Sequence, residues 1–218
     1  TGIDLIKKKL NKTAYGFTMP LILDKYGNKF GKSEANALWL DKNKTSSYEL
    51  YQYLINTDDE MVIHYLKVFT FLSKEEIEAI EKEQLQHPES RVAQKALARE
   101  IITDLHGKEE FEKAEEMSQL LFSGNIQKLS VKDLKIGLKD VPHFDITEKM
   151  NLVEFLVTHK IAISKREARE WITAGSISVN GEKITDLEFV VSKQEALEQT
   201  LTIVRRGKKK YYVGTWNE

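Results

Sequence analysis

The chain of 218 residues contains no cysteine. That excludes a disulfide scaffold, a thiolate metal site and a cysteine nucleophile. No apolar run approaches the ~18 residues that a bilayer span requires, so the sequence reads as a non-membrane chain. Neither sign of charge is in excess. Thirty-three Lys and Arg against 34 Asp and Glu leave a formal net charge of -1. That balance excludes a uniformly basic nucleic-acid coat and a disordered acidic tail. There is no repeat of fixed period and no low-complexity segment. The opening residues Thr1-Gly2-Ile3-Asp4 carry neither an initiator Met nor a signal peptide, and the chain is expected to begin within a longer protein. What is present, 41% hydrophobic residues, suffices for a packed core in one large domain or two to three small ones.

The balanced total hides a distribution. Residues 1–44 hold nine Lys and no Arg against four acids, a net +5; residues 45–144 carry -7; residues 145–218 carry +1, with Arg205, Arg206, Lys208, Lys209 and Lys210 clustered. Basic ends around an acidic middle suggest anionic ligands at two separate places. Ile3, Leu5, Ile6 and Leu10 predict a short amphipathic helix, and Met19 to Leu23 a buried strand or its edge. From Ser46 to Gly124 the pattern is helical. Ser46 and Ser47 can cap one helix, and Ser73-Lys74-Glu75-Glu76 is a capping box. Pro88 is expected at the first position of a long helix that stops at Gly107. Residues 130–140 suggest one further short helix, and residues 141–149 a linker.

The last block changes character. Leu152, Phe155 and Leu156 predict a helix ending near His159, and Ser164-Lys165-Arg166-Glu167 a second capping box opening a helix with Ala168, Trp171 and Ile172 inward. Asn180-Gly181 between alternating residues is a strong hairpin signal, and strands are expected on both sides of Gly207, giving a small antiparallel sheet. The fold expected is multi-domain and mainly α. Residues 1–45 are expected to end a nucleotide-binding α/β domain, 46–140 to form a helical bundle, 141–149 a linker, and 150–218 a small α+β module.

One loop carries chemistry. Lys29-Phe30-Gly31-Lys32-Ser33 places two lysines three residues apart, with a glycine between them and a hydroxyl after. Gly31 lets the backbone approach a ligand, the lysines bring mobile positive charge, and Ser33 adds a hydroxyl, together a phosphate-binding constellation. It is not a Walker loop, because the four-residue spacer between glycines is missing.

The run Met19 to Ser33, followed by Trp39-Leu40-Asp41, resembles bacterial tyrosyl-tRNA synthetases, in which this loop is the local form of the class I Lys-Met-Ser-Lys-Ser signature. Here Phe30 stands for Met and Gly31 for Ser. The resemblance continues through Tyr48–Asp59, Phe69–Glu76 and Leu121–Gly124 to Arg205–Tyr212, so it covers essentially the whole chain. It implies an ATP-dependent ligase in which tyrosine attacks the α-phosphate of ATP and the tyrosyl group then passes to tRNA(Tyr). Lys29, Lys32 and Ser33 would be the catalytic residues, Lys32 the ATP contact, and ATP with magnesium the substrate, with no metal held by this chain. The resemblance further implies a cytoplasmic homodimer. A His-Ile-Gly-His signature and a tyrosine pocket are absent, since His64, His87, His106, His143 and His159 stand isolated. The chain therefore resembles the C-terminal half of the family's enzymes and is expected to be inactive alone.

Residues 150–217 resemble an S-four-like RNA-binding module through Ser164 to Arg169, Ala174-Gly175, Ile177 and Val179-Asn180-Gly181. Lys165, Arg166 and Arg169 beside the positive end of their helix, Lys183 on the hairpin, and Arg205, Arg206, Lys208, Lys209 and Lys210 are the candidate RNA-binding residues. The helical block corresponds to the family's anticodon-binding region. Two other classes stay open: a stand-alone RNA-binding protein with a vestigial lysine loop, and a structural assembly module.

Overall fold

The computed structural model describes residues 2–19, 21–23, 38–208 and 210–217, which fall into two compact units, 1–38 and 39–218. The lysine loop, Lys29 to Ser33, and Lys209 lie outside the described residues. In the first unit, helix α1 (Gly2–Leu10) has Asp4 in its first turn and three lysines in its last, the polarity that the helix dipole favours. Its apolar residues are not buried. Met19 and Leu21 are exposed and Leu23 makes a single β-bridge, so the strand expected over 19–23 does not form in the described residues. A strand needs a ladder of neighbours, and one bridge does not supply it.

The second unit opens with helices α2 (Ser47–Ile55), α3 (Asp59–Phe69), α4 (Lys74–Gln86), α5 (Val92–His106), α6 (Lys108–Ser123) and α7 (Val131–Gly137). Ser46 and Ser73 both form complete capping boxes, with Glu49 and Glu76 returning bonds to the cap backbone. Pro88 does not start α5. It opens a separate 3-10 turn, and Arg91, left-handed at φ 52, then resets the chain direction. The strain at Arg91 is offset by its guanidinium, whose Nε donates to Ile55 O at 3.0 Å and Nη2 to Thr57 O at 3.1 Å. Leu50, Val62, Leu66, Leu97 and Ile102 fill the helical core.

The terminal part contains β1 (His143–Ile146), β2 (Met150–Asn151), α8 (Leu152–Thr158), α9 (Lys165–Thr173), β3 (Ile177–Val179), β4 (Glu182–Ile184), β5 (Val190–Val191), β6 (Leu201–Arg206) and β7 (Lys210–Trp216). Five strands make one sheet in the order β1-β7-β6-β3-β4. The stretch 141–149 is therefore not a plain linker. Its strand β1 lies parallel to β7, from His143 opposite Val213 to Ile146 opposite Trp216, and the sheet is mixed rather than antiparallel. The cause is the free edge of β7, whose backbone groups need partners, together with Phe144 and Ile146, which pack toward the core.

Strand alternation gives this sheet two apolar faces. Ile177, Val179, Ile184, Val204 and Trp216 pack with Leu152, Phe155 and Leu156 of α8 and Ala168 and Ile172 of α9. Leu201, Ile203, Tyr211 and Val213 point the other way, onto Met117 and Leu121 of α6 and Leu134 of α7. Helical block and terminal module thus share a core. At about 1.5–3 kcal/mol per fully buried large aliphatic side chain, that second face is a substantial bond between them.

Candidate nucleic-acid interface

Helix α9 begins where the sequence predicts, with Ser164 accepting a hydrogen bond from Glu167 N at 3.2 Å. The capping box is only half formed. Glu167 accepts from Ile163 N at 2.9 Å, one residue before the cap, because Ser164 is fully extended and turns its own N–H away. Three cations follow on the first turns. Lys165 Nζ lies 2.6 Å from Glu154 Oε1 of α8, and this hydrogen bond holds the Glu154 carboxyl below its usual range. Arg166 Nε lies 3.0 Å from Glu170 Oε1 one turn on. Arg169 is exposed. Two of the three charges at this helix start are thus already shared with carboxylates.

Arg205 and Arg206 follow one another on β6 and diverge. Arg205 turns to the α6 side, where its guanidinium lies over Gly124 and at 6.0 Å from the Tyr211 ring. A Cβ on Gly124 would fall 1.9 Å from Arg205 Nη1, so a side chain there displaces the guanidinium, and the left-handed φ of 87° itself favours glycine. The site is the C-terminal end of α6, where a cation is favoured, and Tyr211 donates its hydroxyl proton to Leu121 O in the same turn. Arg206 turns to the α9 side and lies 3.4 Å over the Trp171 ring. Lys183 crosses Gly175 just beyond the C-terminal end of α9, and Lys208 and Lys210 are exposed on the β6–β7 hairpin. Of the nine candidate RNA-binding residues, Arg206, Lys208 and Lys210 gather at that hairpin, Lys165, Arg166 and Arg169 line α9, and Arg205 is turned inward.

Trp171 does not sit wholly in the core. With Ala168 and Ile172 facing inward, ~100° per residue puts Trp171 on one flank of α9 and Arg169 on the other. Trp171 is accordingly half-buried, a position the alternation of apolar residues blurs. Its contact with Arg206 joins residues 35 positions apart, and no local spacing announces it. Trp216 is buried and its indole N–H donates to Thr202 at 2.9 Å.

Two other polar groups have the composition of catalytic sites and the geometry of structural ones. Ser47 Oγ lies 2.9 Å from His106 Nδ1 and 2.8 Å from Glu110 Oε2, while His106 Nε2 meets Leu40 O at 2.8 Å. Both imidazole nitrogens are occupied and Ser47 is buried, so the group ties residue 40 to α2, α5 and α6. His159 is stacked at 4.1 Å on Phe144 and lies 4.5 Å from Phe155. Burial lowers its pKa, and its Nε2 is enclosed without a partner among the described residues. Among the described residues no group of three or more metal-ligating side chains occurs, and no helix is long and apolar enough to cross a membrane.

Comparison with known proteins gives the class. The family described as tRNA synthetases class I (W and Y) matches residues 1–123, more than half of the chain, and the chain belongs to that family. The particular branch is marked by residues 133–213, which match the tyrosine–tRNA ligase SYY-like C-terminal domain. A tyrosine–tRNA ligase of Streptococcus pneumoniae (strain CGSP14) is 50% identical over 99% of this chain and 52% of its own length. Tyrosine–tRNA ligase 1 of Bacillus subtilis (strain 168) is 49% identical with the same coverages. The solution structure of a tyrosyl-tRNA synthetase C-terminal domain is 43% identical, over 44% of this chain and 98% of that domain, with a TM-score of 0.38. The chain spans about half the length of the curated relatives it matches, corresponding to their C-terminal part.

Proposed function

We propose that this chain serves a tyrosine–tRNA ligase, supplying the lysine loop that meets ATP and the surfaces that hold tRNA(Tyr). The observation that carries the reading is about 50% identity to tyrosine–tRNA ligases along 99% of the chain. In this reading residues 1–45 end the catalytic domain, 46–140 form the anticodon-binding block, and 150–218 the RNA-binding module, with 141–149 joining them. Lys29 and Lys32 act on the pyrophosphate as it leaves. Negative charge grows there during adenylate formation, so cations held at that point stabilise the transition state more than bound ATP. Ser33 assists with its hydroxyl. Magnesium enters with the nucleotide as part of the substrate, and the complete enzyme works as a cytoplasmic homodimer.

On the RNA side, Arg169, Arg206, Lys208, Lys209, Lys210 and Lys183 supply phosphate contacts, with Lys165 and Arg166 contributing as their carboxylate partners release them. In the full-length enzyme, Lys32→Ala slows adenylate formation about 10²-fold while tyrosine affinity stays near normal, measured by stopped-flow activation. An unchanged activation rate removes the loop from the chemistry.

A further inference from the structure

Resting on the RNA-binding reading, we propose that Trp171 is a positioning residue that holds Arg206 ready for an RNA phosphate. The guanidinium carbon lies 3.4 Å from the indole centroid, the separation of a planar stack. Stacking occupies one flat face of the guanidinium and leaves its N–H edges for an anion. Among the described residues no carboxylate pairs with Arg206, in contrast to Lys165 and Arg166.

The stack is fixed from both sides by backbone. Ser176 N donates to Trp171 O at 2.8 Å and Gly207 N to Ser176 O at 2.8 Å, so the end of α9 and the β6–β7 hairpin are joined beside the two side chains. The strand register independently favours an anion at this place. Arg206 stands directly opposite Lys210, and like charges opposed across two strands repel unless a negative group lies between them. A phosphate bound by both relieves that repulsion. Because the guanidinium is already oriented, binding costs less rotamer freedom than it would for a free arginine.

The test is anisotropy of the 218-residue chain with a labelled tRNA(Tyr) transcript across a salt series. Trp171→Leu keeps apolar bulk and every charge, so affinity falls about fivefold, the worth of a partly exposed cation–π contact, while the salt slope holds. Trp171→Tyr recovers most of the loss. Arg206→Lys keeps the charge but loses the fork, and it weakens binding to a similar degree. The double variant Trp171→Leu, Arg206→Lys binds no worse than either single one, because both changes remove the same contact. A merely structural tryptophan gives multiplying losses instead, and that result, or unchanged affinity in Trp171→Leu, overturns the proposal. In the unaltered chain, the indole ring current shifts the Arg206 side-chain proton signals upfield; ordinary arginine shifts overturn it without any variant. If the unaltered chain shows no salt-dependent RNA binding, the RNA reading falls and the proposal with it; in that case the ring-current shift still tells whether the stack exists.

Discussion

Arg205 and Arg206 share a sequence neighbourhood and part company in the fold. One goes under α6, over a glycine that could not be any other residue without displacing it. The other goes onto an indole at the surface. The lesson extends to the whole sheet. The face toward α6 and α7 uses its apolar residues to hold two parts of the protein together, and Arg205 is enclosed beside them. The face toward α8 and α9 packs a core of its own and presents charge at its rim. Basic residues that look equivalent in a cluster are therefore enclosed against a helix end in one case and stacked on an indole at the rim in the next, because successive strand residues point to opposite sides.

The largest effect is expected at Gly124. Its φ of 87° is a left-handed value, and a side chain there meets Arg205, so Gly124→Val is expected to cost about 2–3 kcal/mol of stability by denaturant unfolding. A cost below about 0.5 kcal/mol would mean that both the backbone and the Arg205 guanidinium yield freely. The next effect separates the two arginines by function. Arg206→Gln lowers the magnitude of the salt slope of tRNA binding by about one unit, whereas Arg205→Gln leaves that slope unchanged and lowers thermal stability. Equal slopes for the two variants would erase the distinction.

The smallest effect concerns His159, on the α8 side of the sheet. Burial among Phe144 and Phe155 depresses its folded pKa below the value of an unfolded histidine. Below pH ~6.5 the unfolded chain then binds more protons than the folded one, so stability is full above that value and falls as the pH drops toward the folded pKa. His159→Phe is expected to flatten the dependence of melting temperature on pH between about 7 and 5. An identical pH dependence in the variant would show that acid weakens the molecule elsewhere.

Much of the local architecture is legible in the residues. Ser73 with Glu76, Gly107 and Gly124 as helix stops, and Asn180-Gly181 as a hairpin act over three or four positions, and each appears in the structure as expected. Pro88 marks a turn in the sequence but not which one, since α5 waits for the reversal at Arg91. The pairing of β1 with β7 joins residues about 70 apart, and nothing within 141–149 indicates that edge. The candidate site divides in the same way. The residue types for binding anions are plain in the sequence, and the family resemblance adds the roles of the lysine loop.

The residues alone set the elements and the chemistry on offer: capped helices, a turn-bounded hairpin, and cations gathered near the C-terminus. Which of those cations are available depends on how the chain folds. Lys165 is paired by α8, Arg166 by its own helix, Arg205 is enclosed by α6, and Arg206 is spread on Trp171. Charge is a property of a residue, but its freedom to meet a ligand depends on neighbours that the chain brings from dozens of positions away.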